Sequence, residues 1–300
     1  MKEITDYGKV FETLVTKTAD YLVNNNIKAQ ILGISGGIDS TVCAAICHEV
    51  SKKTGIPLIG RSLPTKYNTI EETSSAILTG TAFCNSFTEV PIKPAYDSIM
   101  SLITTHEGVS TALSRGNVQA RLRMIYLYNL ASIHKGLVID TDNLTEYNLG
   151  YWTIHGDVGD FNPIGRLWKT EVFKLAEWLF NKYKNDDYTY LTKAEAVWAS
   201  LQLKPTAGLG ITSNDLEELG TESYDQVDGI LQEILAWKWL SLEKRGDTYN
   251  SIWDMRNAFL EEQQMLDTPI EVIIAVTDRH FKSEFKRKQL PIKISRDEII

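Results

Sequence analysis

Residues 30–41 read Gln-Ile-Leu-Gly-Ile-Ser-Gly-Gly-Ile-Asp-Ser-Thr, and they constrain the chain more than any other stretch. An apolar run ends in a serine and two glycines, then passes into a helix-like segment, 42–53. That order predicts strand, glycine turn, helix. The N–H groups at a helix N-terminus carry partial positive charge and favour an anion. Gly36 and Gly37 lack Cβ, so the turn can approach a ligand closely. A phosphate or pyrophosphate is the expected guest. The chain contains neither G-x-x-x-x-G-K-[ST] nor G-x-G-x-x-G, so the turn is neither a Walker loop nor a dinucleotide fingerprint.

The 300 residues suffice for one large or two small domains, and at 43% hydrophobic and 23% charged they need no disulfide staples. The three cysteines fit that reading. Cys43 and Cys47 lie four apart on a predicted helix among alanines, which suggests buried small hydrophobes rather than a metal pair. An odd cysteine count points to a reducing compartment. The first nine residues carry no apolar segment of a leader, and no apolar run is long enough to span a bilayer. The cytoplasm is therefore expected, with no membrane partner. A net charge of −8 argues against a surface that coats nucleic acid. The basic stretch 282–288 is the local exception, and reads as a solvated helix end or as a local basic pocket.

Helical periodicity marks 9–25, the segment ending at Gly55, 68–83 and 116–135. Strand signals mark 29–34, 57–63, 87–92 and 137–141. Strands alternating with helices predict an α/β fold: a parallel sheet flanked by helices, Rossmann-like, with a helical C-terminal part. Ligands of such sheets sit beyond the carboxyl ends of the strands. Residues 35–40, 61–64 and 141–146 all fall at predicted strand ends and should gather at one edge. Asn117 and Arg121, four apart, share one side of the helix 116–135. Arg121 can be a salt-bridge partner or a phosphate clamp. Residues 150–160 and 204–214 read as loops, and 169–183, 224–240, 252–265 and 269–287 as helices. The C-terminal third could be a subdomain, or helices packed on the same sheet or on another subunit.

The pattern Ser35-Gly36-Gly37-Ile38-Asp39-Ser40 resembles the signature of ATP pyrophosphatases, which split ATP into AMP and pyrophosphate. That chemistry needs cradled phosphates and a divalent metal. Ser35 and Ser40 supply hydroxyls, and Asp39 and Glu146 supply hard carboxylate oxygens suited to magnesium. Lys169 and Thr206 can spread the charge of the departing pyrophosphate. No Ser-His-Asp set with an elbow appears, so no covalent nucleophile is expected. Among the histidines only His155, in the aromatic loop, attracts interest.

Further motifs narrow the likeness. Gly116-Asn117-Val118-Gln119-Ala120-Arg121-Leu122-Arg123-Met124 is similar to the G-N-x-x-A-R-x-R-M of NAD synthetases. The stretch Thr141-Asp142-Asn143-Leu144-Thr145-Glu146 is similar to their T-D-x-x-x-E. Gly156-Asp157-Val158-Gly159-Asp160-Phe161-Asn162-Pro163 resembles G-D-G-G-x-D-x-N-P. Arg166-Leu167-Trp168-Lys169 resembles R-L-x-K, and Pro205-Thr206-Ala207-Gly208-Leu209 resembles P-T-A-x-L. Phe285-Lys286-Arg287-Lys288 before Pro291 is similar to a terminal H-K-R-x-x-P. The likeness runs from the glycine turn to the C-terminus.

This resemblance implies a single domain over 1–300, with an ATP-binding core at about 1–165 and a helical remainder at 166–300. It implies that Gly33, Ser35, Gly36, Gly37 and Ser40 hold ATP phosphates, and that Arg61, Thr141, Lys169 and Thr206 also contact ATP. Asp39 and Glu146 would bind magnesium. Asn117, Arg121, Asp157, Asp160 and Lys286 would contact deamido-NAD. The implied reaction joins the nicotinate carboxylate to AMP, and ammonia then displaces AMP to give NAD. Glutamine-using members carry an extra amidase domain, for which no room lies ahead of residue 33, so direct use of ammonia is expected unless a separate glutaminase subunit docks. A homodimer is also implied. Ile154, Val158 and Phe285 depart from the family pattern in the deamido-NAD half. Two alternatives stand beside this reading: another adenylating enzyme of the same class, or an inactive nucleotide-binding homologue.

Overall fold

The computed structural model describes residues 3–65, 67–185, 191–204, 215–265 and 267–288. The chain divides into two compact units. The first takes in 1–144 and 152–215, the second 145–151 and 216–300.

The first unit holds a parallel four-stranded sheet in the order β3-β2-β1-β4. Its strands are β1 (Gln30–Gly33), β2 (Leu58–Ser62), β3 (Ser86–Glu89) and β4 (Leu137–Ile139). The connecting helices are α1 (Tyr7–Asn24), α2 (Ile38–Thr54), α3 (Ile70–Phe83), α4 (Lys93–Glu107) and α5 (Ala112–His134), and α7 (Lys169–Asn185) and α8 (Leu191–Gln202) complete the unit. Side chains alternate across the pleat, so neighbouring residues of β1 serve different cores. Leu32 joins the core built on α1, α2, α7 and α8, with Phe11, Val42, Ile46, Leu175 and Leu179. Ile31 joins the core on the other face, with Ile59, Val138 and Leu127 and Leu130 of α5. Cys43 and Cys47 are fully buried in the first of these cores, as small hydrophobes there should be.

Local chemistry trims the expected strands. β3 ends at Glu89, two residues ahead of Pro91, which has no N–H for a ladder. β4 stops at Ile139, where the Asp140 carboxylate turns the chain by accepting from Asp142 N at 2.9 Å. Helix α4 has no counterpart in the sequence reading. Of its side chains only Tyr96 is buried, and Met100 and Ile103, four and seven residues on, are half-buried; this narrow apolar stripe was not picked out of the sequence beside the outward-facing Ile99 and Leu102. Helix α8 also went unmarked.

The second unit consists of short α6 (Leu144–Leu149) and α9 (Asp215–Glu218), each with its first residue in the first unit, α10 (Tyr224–Lys238), a π-helical turn (Trp239–Arg245), α11 (Ile252–Glu262), α12 (Ile270–Lys282) and α13 (Glu284–Arg287). The helix expected over 269–287 is broken at Ser283, whose hydroxyl donates to His280 O at 3.0 Å and competes with the backbone ladder. Among the described residues no helix is long and apolar enough to cross a membrane.

Candidate active site

The carboxyl ends of the parallel strands lie on one edge of the first unit. β1 delivers the glycine turn there, with Gly33 in register with Arg61 of β2. The turn is held open from below by α3. Gly36 has φ +87°, and Ser75 Oγ donates to its carbonyl at 2.7 Å. The N-cap of α2 is Gly37, which offers no side-chain cap. The first helical N–H groups are thus left for a guest, as the sequence pattern predicts. The hydroxyls frame the same turn. Ser35 Oγ lies 3.0 Å from Ser40 Oγ and accepts from Gly37 N at 3.2 Å, and Ser40 Oγ donates to Gly37 O at 3.0 Å.

Asp39, in the first turn of α2, joins this cradle to the start of α7. Its Oδ2 forms an ion pair with the Lys169 ammonium, whose side chain is 3% exposed against 15% for Asp39. Its Oδ1 accepts from Asn143 Nδ2 at 2.9 Å. The sequence reading named Asp39 and Lys169 but missed Asn143. The only signal for Asn143 was its place inside the Thr141-to-Glu146 motif, where a fully buried amide must find partners. Beyond β4, Asn162 Nδ2 donates to Asp142 O at 2.7 Å and fixes the same strand end. Thr141 is half-buried beside it, and Arg61 Nη1 donates to Gly60 O at 2.7 Å. Burial pushes the Asp140 carboxyl up, against the backbone N–H groups that hold it down.

Four of the expected deamido-NAD residues shape one loop. Asn117 Oδ1 accepts from the Thr153 hydroxyl at 2.9 Å, and Asp157 Oδ1 accepts from Thr153 N at 2.6 Å. Arg121 donates to Ile154 O at 3.0 Å. Asp160 accepts from the Tyr128 hydroxyl at 3.1 Å and from Val138 N at 2.9 Å. Burial first, and the Asp160 charge second, push the Tyr128 phenol up to about 12. Arg121 thus supports the loop backbone. Ile154 and Val158, two of the departures, enter this network through their carbonyls. His155 sits at φ +53° at the loop tip.

Glu146 and Lys286 belong to the second unit. Glu146 lies in the first turn of α6, and Lys286 Nζ donates to Gly150 O at 2.7 Å. Thr206 lies outside the described residues.

A doubly flanked parallel sheet whose first strand ends in an open serine–glycine turn at a helix start defines a nucleotide-binding α/β enzyme. The family follows from comparison. The NAD synthase family model matches residues 10–290, and the chain belongs to that family. A protein of Finegoldia magna named NH3-dependent NAD(+) synthetase is 32% identical over 227 residues, 75% of this chain and 85% of that one. One of the same name from Helicobacter pylori is 33% identical over 232 residues, 77% of this chain and 80% of that one. Among solved structures, an NMN synthetase from Francisella tularensis superposes with a TM-score of 0.71 at 25% identity, over 97% of this chain and 99% of that one. The fold is also that of an NH3-dependent NAD synthetase from Campylobacter jejuni, with a TM-score of 0.67 at 24% identity over 97% of this chain and all of that one.

Proposed function

We propose that this protein makes NAD from deamido-NAD, with ATP as the activating co-substrate and ammonia as the nitrogen donor. The observation that carries the reading is the open serine–glycine turn after β1, tied through Asp39 to the buried Lys169. In the first step a nicotinate carboxylate oxygen attacks the α-phosphorus of ATP. The bond to pyrophosphate breaks and an acyl-adenylate forms. In the second, the ammonia nitrogen attacks the acyl carbon, a proton passes to solvent, and AMP leaves with the bridging oxygen. Neither step needs a covalent enzyme nucleophile.

Gly33, Ser35, Gly36, Gly37 and Ser40 would hold the phosphates, with Arg61 and Thr141 also on ATP. Lys169 and Thr206 would meet the charge that grows on the leaving pyrophosphate. Asn117, Arg121, Asp157 and Asp160 would form the deamido-NAD side through the loop they brace, and the motif likeness assigns Lys286 to the same substrate.

Magnesium fits Asp39 by chemistry: a hard carboxylate oxygen within the phosphate cradle, in the first turn of α2. Among the described residues no three or more His, Cys, Asp or Glu side chains group as a metal site. An ion at Asp39 would therefore draw ligands from phosphate oxygens and water as well, with Glu146 as the second carboxylate the motif assigns. When bound, it would supply charge neutralisation on the phosphates.

The side of α5 on which Ile125 and Tyr128 stand three apart and exposed is the surface we assign to a homodimer contact. The free thiols of Cys43, Cys47 and Cys84 support the cytoplasm as the compartment.

A second reading takes nicotinate mononucleotide as the carboxylate. It is favoured by the likeness to the Francisella protein over nearly the full length of both chains. Purified protein with ATP, magnesium and ammonium, given deamido-NAD or nicotinate mononucleotide in separate reactions, tests both. Equimolar AMP and NAD with deamido-NAD are expected, at the higher kcat/KM of the two. A kcat/KM tenfold or more higher for the mononucleotide would replace the first reading with the second. AMP formation with neither overturns both.

A further inference from the structure

Helix α6 has six residues, too few to hold its own shape in water. Side chains of the second unit grip it at both ends. At its start the Thr145 hydroxyl donates to the carboxylate of Asp228, itself 2% exposed. At its end the carbonyls that lack helical partners are taken one by one by the C-terminal helices. Asn148 O accepts from His280 Nδ1 at 3.1 Å and from Arg287 Nη1 at 2.6 Å. Leu149 O accepts from Arg279 Nε at 3.0 Å, and Gly150 O from Lys286 Nζ at 2.7 Å. Cations at a helix C-terminus are also favoured by its dipole.

Arg287 is the centre of this grip. Besides Asn148 O it donates to Ser283 Oγ at 2.8 Å, His280 O at 2.6 Å and Glu284 Oε2 at 2.8 Å, with its side chain 8% exposed. One planar guanidinium thus joins α6 to α12 and α13, a geometry that lysine cannot reproduce. The approach is close as well. A Cβ on Gly150, which has φ +68°, would stand 2.4 Å from Ser283 Cβ. Between the two gripped ends lies Glu146.

We propose that Arg287, with Arg279 and His280, is a positioning residue that fixes Glu146 for metal binding. The motif likeness instead draws attention to Lys286 next door. This inference rests on Glu146 being a metal ligand, as proposed above. Groups that orient a ligand typically change metal affinity on the order of tenfold or more when removed.

The test is Mn2+ affinity by electron paramagnetic resonance, with the enzyme saturated in a non-hydrolysable ATP analogue. Arg287→Met is expected to raise the Mn2+ Kd about tenfold or more while kcat at saturating metal changes little. If Arg287→Met does not fold, Arg279→Met is read in the same way. Glu146→Gln is the control. If it weakens Mn2+ and the folded arginine variant does not, positioning is overturned and the metal role of Glu146 survives. If Glu146→Gln leaves the Kd unchanged, the metal role falls and the inference falls with it.

Discussion

Gly36→Ala is expected to lower stability by about 2–5 kcal/mol and kcat/KM by about 100-fold or more. The position has φ +87°, where an L side chain costs roughly 1–2 kcal/mol. The added Cβ would also stand 2.2 Å from Glu72 O and 2.8 Å from Ala76 N, both backbone atoms of α3. Overpacking against such neighbours costs roughly a further 1–3 kcal/mol. The loop can relieve the clash only by moving off α3, which breaks the Ser75-to-Gly36 hydrogen bond. A shift of about 1 Å in a phosphate cradle is enough for the activity loss. Gly37→Ala is the control. Its backbone is extended at φ −72°, and its Cβ would meet only Ser35 Oγ, at 3.4 Å. Thermal unfolding should separate the two variants, and steady-state kinetics measures the activity lost in Gly36→Ala. Equal behaviour would show that α3 does not set the loop.

The second large effect concerns the pair under the cradle. On sequence alone, Asp39→Asn should remove activity and spare the fold. The structure changes that expectation, because Lys169 is buried against the Asp39 carboxylate. Neutralising one partner leaves a buried charge without its counter-ion, at a cost of about 3–5 kcal/mol. Asp39→Asn and Lys169→Met should each lose that much. The double variant, in which neither charge is left alone, should be more stable than the sum of the two changes predicts. Activity should fall about 100- to 1,000-fold in all three, since charge stabilisation of the leaving pyrophosphate is lost in each. A chemical-denaturation double-mutant cycle with parallel kinetics measures both. Additive stabilities would contradict the coupling, and an active double variant would contradict the catalytic assignment.

These cases show which parts were legible beforehand. The strand–turn–helix order was readable because apolar run, glycines and helix start follow one another directly, and local order is what periodicity reports. The parallel sheet was readable because its strands alternate with helices. Helix α4 was not, because its stripe of Tyr96, Met100 and Ile103 is narrow and the exposed Ile99 and Leu102 beside it blur the period. The pairing of Asp39 with Lys169 spans 130 residues, and no local rule joins them. Only the R-L-x-K likeness brought Lys169 into the site. Asn143 stayed hidden because an amide inside a motif carries no mark of which carboxylate it serves. The grip of Arg279, His280 and Arg287 on α6 was hidden for a related reason. Its acceptors are backbone carbonyls, which every sequence has, and the basic stretch 282–288 read equally as a solvated helix end or a basic pocket. Arg287 is in fact largely buried.

The central claim is that the carboxylate of the substrate is activated by bonding to the α-phosphorus of ATP. Deamido-NAD labelled with 18O in both carboxylate oxygens, turned over with ATP and ammonium and analysed by mass spectrometry, tests it most directly. One 18O in each AMP and none in pyrophosphate is the predicted result. Unlabelled AMP, or label in any other phosphate, would contradict it.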